Sequence, residues 1–376
     1  MKIFLNKISV RQYILYGFMC IAILVSMIFV HHNYSLYDRP IAKVTKAELI
    51  DTKENIDMHN NKDTIHTQHL TAILKNGENK GQTIYLNNTY SSSAVYDQQY
   101  DVGDELFVWI RPQTDDESNL RGNIVEVKRD KYLLLLAWVF IVILLMVGKK
   151  QGLFSIISLG VNALLISFAL DIHIFNPNIS LLLICGFSVF LFTIFSLILV
   201  SGFNEKTLAA IIATLIGTVT SLIIAYVVIE TNDGYGLRYE DMQFLTRHYQ
   251  SVFMAGLFIG SLGGVMDIAI TMSSSMFALY EKNNSISIKS LTKSGLDIGK
   301  DIMGAITSIL FFAYISGSIP TLILYFKNSS ALGFTLSMNL SLELARALVG
   351  GIGIVLTIPI ALYTCIFFIK RKRARV

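Results

Sequence analysis

The fold turns on Gly256-Leu-Phe-Ile-Gly260-Ser-Leu-Gly-Gly264-Val-Met-Asp267, inside an apolar stretch from about Val252 to Tyr280. A membrane-spanning helix needs about 20 mostly apolar residues, each rising ~1.5 Å through a ~30 Å hydrocarbon layer, and this stretch exceeds that length. Gly256, Gly260 and Gly264 recur every four residues and share one helix face, along which a neighbouring helix can approach closely. With Gly263 they place four glycines just ahead of Asp267. That density predicts a helix break or a close-packing seam. Asp267 stands mid-span, where a carboxylate costs ~3 kcal/mol or more on insertion scales and is by default a functional candidate.

Outward from this stretch, seven others meet the same test: about Gln12–Val30, Tyr132–Val147, Leu153–Leu170, Ile179–Val200, Thr207–Ile229, Ile302–Phe326 and Ala347–Ile369. Only 15% of the 376 residues are charged, against roughly a quarter in soluble domains, which argues against a soluble enzyme. The charge is also uneven. Residues 31–131 carry 12 Lys/Arg and 16 Asp/Glu, while the remaining 275 carry 19 and 11, so one ordinary soluble domain is inserted into a membrane protein. The expected fold is an all-α bundle of about eight transmembrane helices with a small all-β domain between helices 1 and 2. Its expected parts are an anchor helix (1–31), the β domain (32–131), a seven-helix membrane domain (132–370) and a basic tail (371–376). No small-x-small cleavage site follows Ile28-Phe29-Val30-His31-His32, so the first span reads as a retained anchor.

Positive residues set the direction. With the N-terminus inside, the inner segments carry Lys2, Lys7, Arg11, Lys149, Lys150, Lys206, Lys282, Lys289, Lys293, Lys300 and five of the last seven residues. The short outer segments carry only Arg238, Arg247, Lys327 and Arg346. Both termini are therefore expected in the cytoplasm and residues 32–131 outside.

In the outer domain, Ile41–Leu49, Thr64–Leu74, Gln82–Leu86, Leu106–Ile110 and Asn123–Val127 are rich in Ile, Val and Thr. Turn signals at Asn76-Gly77, Tyr100 to Asp104 and Arg111-Pro112 separate them. Five short strands suit a closed barrel of the OB type. The domain is net negative and lacks a basic stripe interleaved with aromatics, so nucleic acid is not an expected partner. His66 and His69, three apart in a strand, point to opposite faces. With His59 they read as solvated positions, and neither a metal nor a cofactor is expected. Cys20, Cys185 and Cys365 all fall inside spans, leaving the outer domain without disulfides.

Depth alone puts Asn162, Thr218, Tyr314 and Pro359 level with Asp267, so they can ring a polar site, with Ser274 and its neighbours continuing a path inward. The alternative for Asn162, Thr218 and Tyr314 is hydrogen bonding between helices. The almost wholly aliphatic and aromatic fourth stretch is assigned to lipid. Ser287 to Asp301 reads as a surface-lying helix, whose Asp297, Lys300 and Asp301 either gate the inner mouth or solvate a helix start. Tyr235, Tyr239, Phe244 and Tyr249 fit an interfacial belt, and Glu343 can pair with Arg346 on one helix face.

Several motifs in order carry a resemblance: Gly263-Gly-Val-Met-Asp-Ile-Ala, Leu291-Thr-Lys-Ser-Gly-Leu-Asp-Ile-Gly-Lys-Asp-Ile-Met-Gly, Phe311-Phe-Ala-Tyr-Ile-Ser-Gly, Gly350-Gly-Ile-Gly-Ile-Val-Leu-Thr-Ile-Pro, and Ser201-Gly-Phe-Asn-Glu-Lys-Thr-Leu-Ala-Ala. Over roughly residues 130–370 the chain resembles the YibE/F-like family of bacterial membrane proteins. An N-terminal anchor with an outer domain looks like the YibE-type member. The resemblance implies a bacterial plasma-membrane protein, a permease-like role, and a YibF-type companion as partner. It supplies no substrate and no assigned catalytic residues. Lys300 stands where arginine is expected, keeping charge but losing bidentate geometry.

Two functions follow from the sequence. The first is a permease or secondary transporter for a small solute or ion, with its pathway near Asp267. The second is a non-transporting scaffold or receptor whose outer domain binds a partner or envelope component, the chain acting with a companion or as a homo-oligomer in the bilayer. Enzyme activity is not expected. There is no His-Glu-x-x-His, no second mid-membrane Asp, and no Gly-rich phosphate loop.

Overall fold

The computed structural model describes residues 10–94, 97–111, 120–242 and 248–375, with side chains of 10–16 and of residue 241 left aside. Lys2, Lys7, Pro112, Phe244 and Arg247 lie outside the described residues. The chain divides into two compact units, Met1–Met146 and Val147–Val376. It is mostly helical, with a small N-terminal β-sheet domain.

In the first unit, helix α1 (Val10–His32) runs through a short 3-10 turn into five strands: β1 (Ile41–Ile56), β2 (Lys62–Leu74), β3 (Thr83–Ser91), β4 (Glu105–Ile110) and β5 (Leu120–Val127). They pair in the order β1-β2-β3-β5-β4, and β4 returns to β1 through Ile41 opposite Phe107. Long β1 serves two partners by bending, with register shifts between Val44 and Lys46 and between Leu49 and Asp51. Alternation explains the core, because most inward strand positions are apolar, with Gln68 and Glu105 as buried polar exceptions. Val44, Leu70, Leu74, Ile84, Leu86 and Leu106 are all sealed from solvent. Asn76 fixes the approach to β1. Its Oδ1 accepts from Ile41 N at 2.6 Å, while its Nδ2 donates to the carbonyls of Tyr37 and Arg39.

A buried ionic knot closes this domain. Lys128 is 2% exposed and Glu105 3%. The ammonium of Lys128 donates to Val30 O at 3.0 Å and Asp130 Oδ1 at 2.9 Å, and lies 3.5 Å from Glu105 Oε2. Tyr34 Oη donates to Glu105 at 2.5 Å, and Tyr37 Oη and Asn33 Nδ2 donate to Asp130 at 2.9 and 3.0 Å. Burial, and then the bond to Asp130, pushes the Tyr37 phenol above its ordinary pKa. Buried charges persist when paired and hydrogen-bonded in this way. The knot joins the end of α1, the start of β4 and the end of β5.

Helix α2 (Asp130–Phe175) contains the second and third apolar stretches as one 46-residue element. Eight spans are expected from the sequence, and among the described residues seven helices are long and apolar enough to cross a membrane. The difference lies at Lys149, a non-helical residue (φ 49°, ψ −121°) inside α2. At ~1.5 Å per residue, α2 is long enough for two crossings of a ~30 Å layer.

The second unit continues with α3 (Leu181–Ser201), α4 (Glu205–Thr231), α5 (Tyr249–Lys282), α6 (Ile288–Ser316), α7 (Ile319–Lys327) and α8 (Leu332–Arg373). Four sequence expectations are corrected. The sixth stretch does not break at its glycines, since α5 is continuous over 34 residues. Residues 288–301 are not a separate surface helix. They form the first half of α6 and bury Leu291, Gly295 and Gly299, with Gly295 against Leu362 and Gly299 against Ile358. The seventh stretch ends early at Gly317-Ser318, after which α7 begins with Ile319-Pro320. Nor is α3 wholly a lipid helix, because Cys185, Val189, Phe192 and Leu197 are buried, with Phe258 of α5 facing Gly186.

Small residues set the packing of α4, α5, α6 and α8. A Cβ at Gly217 would strike Thr357, one at Gly350 would strike Leu310, and one at Gly353 would stand 2.9 Å from Val265 and 3.1 Å from Ser221. Close helix approach through small residues is the usual membrane solution, because aliphatic contacts gain little over lipid.

Candidate functional site

Asp267 lies on the exposed side of α5. Counting along α5 at helical spacing, Gly256, Gly260, Gly263, Asp267 and Ser274 follow one face. Gly256, Gly263 and Asp267 are exposed, and a Cβ at Gly256 or Gly263 would meet nothing within 4 Å. Gly260 is the exception, since a Cβ there would overlap Tyr314 Oη on α6. Gly264 lies at the edge of this face, turned toward α8, and its Cβ would stand 2.9 Å from Ile354. The four glycines therefore split into two roles: Gly260 and Gly264 allow helix contact, and Gly256 and Gly263 leave a shallow open face beside Asp267. Among the described residues Asp267 has no hydrogen-bond or ion-pair partner.

The expected ring around Asp267 does not form. Asn162 donates from Nδ2 to Ser196 Oγ at 2.7 Å, beside Ser158, which donates to the same oxygen at 3.0 Å. Thr218 is sealed and bonds back to Thr214 O at 2.7 Å within its own helix. Depth along a span does not fix which way a side chain turns, and these residues turn to different helix contacts. Pro359 sits inside α8 without interrupting it. Only Tyr314, over Gly260, shares the face of α5 that carries Asp267.

Ser274 opens onto a polar cleft of about 630 Å³ lined by Asn204, Glu205, Lys206, Glu281 and Lys372. It joins the N-terminus of α4 to the C-termini of α5 and α8. Asn204 caps α4 by accepting from Thr207 N at 2.9 Å, and Arg375 pairs with Glu205 at 3.6 Å. The other charges expected at an inner mouth, Asp297, Lys300 and Asp301, are exposed on α6 and have no ion-pair partner among the described residues.

At the opposite end, Arg346 pairs with Glu343 and lies 5.4 Å over the buried ring of Phe253. Tyr239 packs on Tyr249 and Phe253. In the β domain, His66 bonds Thr52 and Ser92 and stacks on Tyr90. His69 instead lines a polar cleft with Tyr85, Asn87, Arg111, Arg121 and Asn123. Sequence reasoning passed over this cleft. The signal available was the alternation Ile84-Tyr85-Leu86-Asn87 and Leu120-Arg121-Gly122-Asn123, which sends polar groups to one outer face.

Among the described residues, seven apolar helices of membrane-crossing length, with a small β-sheet domain near the N-terminus, are consistent with a membrane-associated protein. Residues 136–371 match the family described as YibE/F-like protein, and residues 35–127 match the YibE/F family N-terminal domain. The chain belongs to the YibE/F-like family. No curated protein and no solved structure matches it.

Proposed function

We propose that this protein is a multi-pass permease of the bacterial plasma membrane, with both termini in the cytoplasm and residues 32–131 outside as an OB-like barrel. Its polar path follows the open face of α5. One observation carries the reading: Asp267, in the middle of an apolar span, is unpaired among the described residues on a face of small residues that its own unit leaves uncovered except where Tyr314 crosses Gly260. Against lipid, a charge there costs ~3 kcal/mol or more. A covering helix from a YibF-type companion or a second copy removes that cost and encloses a groove from Gly256 past Asp267 to Ser274 and the polar cleft beyond. A carboxyl in such a groove can bind a cation or exchange a proton with the solute.

The test is flux of a cation and small-solute panel into proteoliposomes, comparing wild type, Asp267→Asn and Ser274→Ala. Loss of flux in Asp267→Asn, with unchanged folding and assembly, supports the reading. Equal flux across pH in wild type and Asp267→Asn overturns it.

A further inference from the structure

The polar cleft at the ends of α4, α5 and α8 gathers charges that the fold does not account for. Counted along α5, Glu281 falls 14 residues after Asp267 and seven after Ser274, so all three follow one helix face. Glu281 stands in the last turn of α5, and Lys206 is the second residue of α4. A helix favours anions near its N-terminus and cations near its C-terminus. Glu281 and Lys206 therefore each stand at the helix end that disfavours their charge. Both line the cleft, and neither has a hydrogen-bond or ion-pair partner among the described residues.

The other lining groups are only partly engaged. Glu205, at the N-terminus of α4 where an acid is favoured, pairs through Oε1 with Arg375 at 3.6 Å. Its Oε2 is shielded from solvent and has no hydrogen-bond partner among the described residues. Lys372 Nζ lies 5.9 Å from the centre of the buried Tyr280 ring, and its three N–H donors meet no acceptor among the described residues. Ser273 accepts from Cys365, but Ser274 beside it forms no hydrogen bond among the described residues. A cleft of about 630 Å³ thus holds two carboxylates, two ammonium groups and a hydroxyl, with most of their bonding capacity unused.

We propose that this cleft binds a small zwitterion, one molecule carrying an ammonium group and a carboxylate, of the amino-acid or short-peptide class. Lys206 and Lys372 take its carboxylate, Glu281 and Glu205 take its ammonium, and Ser274 bonds to either. A ligand of single charge would pair one set and leave the other without a partner. The two charges that the helix dipoles oppose are then the ones the ligand neutralises. Ser274 puts the cleft at the inner end of the α5 face, so the proposal deepens the permease reading and rests on it for any role in transport. Binding is tested apart from flux.

The experiment is calorimetric titration of the full chain in nanodiscs of phosphatidylglycerol, a lipid whose headgroup carries no ammonium. The probes are L-alanine, trialanine, acetate and methylammonium. Saturable binding of at least one zwitterion, about tenfold or more tighter than acetate and methylammonium, supports the proposal. Glu281→Gln and Lys206→Gln each lower that affinity by about tenfold. Without ligand, each also raises the midpoint of thermal unfolding, because it removes a charge from the helix end that disfavours it. The proposal is overturned if neither zwitterion saturates up to about 10 mM, if acetate or methylammonium binds as tightly, or if either variant binds unchanged. A lowered unliganded midpoint in both variants also overturns it, since the charges would then serve the fold. Zwitterion binding without flux of any solute sinks the permease reading and leaves this proposal standing; flux of another solute with no zwitterion binding does the reverse.

Discussion

Replacing Lys128 by Met removes the cation at the centre of the buried knot. The side chain is 2% exposed, and its loss strands Glu105, 3% exposed, with the Tyr34 hydroxyl as its one remaining side-chain partner among the described residues. Breaking a buried pair by removing one member costs ~3–5 kcal/mol. Asp130 adds less, since it keeps Tyr37, Asn33 and the Lys131 amide and is partly solvated. Removing both buried charges, with Glu105→Leu added to Lys128→Met, takes away the stranded carboxylate. The double variant is then more stable than the two single effects summed, with a coupling of about 2 kcal/mol. The chain carries its own reporter, since its two tryptophans, Trp109 and Trp138, both lie in the first unit. Denaturant unfolding in detergent, followed by tryptophan emission, reads that unit without contribution from the second. A cost below about 1 kcal/mol for Lys128→Met, the range of a solvent-screened pair, refutes the reasoning. So does a double variant as unstable as the sum.

Further outcomes are expected. Gly260→Ala drives a Cβ into Tyr314 Oη and destabilises the second unit by about 1–3 kcal/mol; Tyr314→Phe in the same chain restores part of that in thermal unfolding, and no rescue would show that the contact is not the cause. Gly299→Leu, against Ile358, lowers folded yield more than Gly304→Leu, where a Cβ meets open space; equal yields would refute the packing. At the turn between β1 and β2, Asn61 first and then the His59 amide hold the Asp57 carboxyl below its ordinary pKa. A depressed folded pKa stabilises the turn above the unfolded value near 4 and loses that contribution as pH falls through the folded one. Protection factors of the amides at residues 57–61, with the intrinsic pH dependence of exchange divided out, therefore fall on acidification, and Asp57→Asn removes that fall.

Much of the architecture was legible because two signals are strong. Apolar stretches of about 20 residues announced the helices, and runs rich in Ile, Val and Thr between turn signals located all five strands, although β1 runs on past Leu49 to Ile56 and β3 past Leu86 to Ser91. What escaped depended on contacts between elements. Residues 288–301 look amphipathic, and only the groove formed by Leu362 and Ile358 shows why Leu291, Gly295 and Gly299 are buried. Asn162 and Thr218 share a depth with Asp267, but rotation about a helix axis decides who meets whom, and Ser196 had no mark in the sequence as the partner of Asn162. Lys128 sits in Val127-Lys128-Arg129-Asp130-Lys131, which reads as an ordinary charged boundary. The outer rows of the β domain were present in the alternation, but only strand register shows that Arg111, Arg121 and Tyr85 stand side by side.

The contact surfaces of α4, α5, α6 and α8 are made by what the side chains lack, and this reverses the usual map of mutational tolerance. Large apolar side chains such as Leu348, Val355 and Phe367 point outward and can be exchanged for one another with little effect. Gly217, Gly350 and Gly353 cannot gain even a methyl group without displacing a neighbour. A saturation scan should therefore find its intolerant positions at the smallest residues. Gly256 and Gly263 then act as internal probes. They meet nothing among the described residues, so intolerance to alanine there would record a second molecule pressed against α5 in the living membrane, and its footprint could be drawn residue by residue from sequence variation alone.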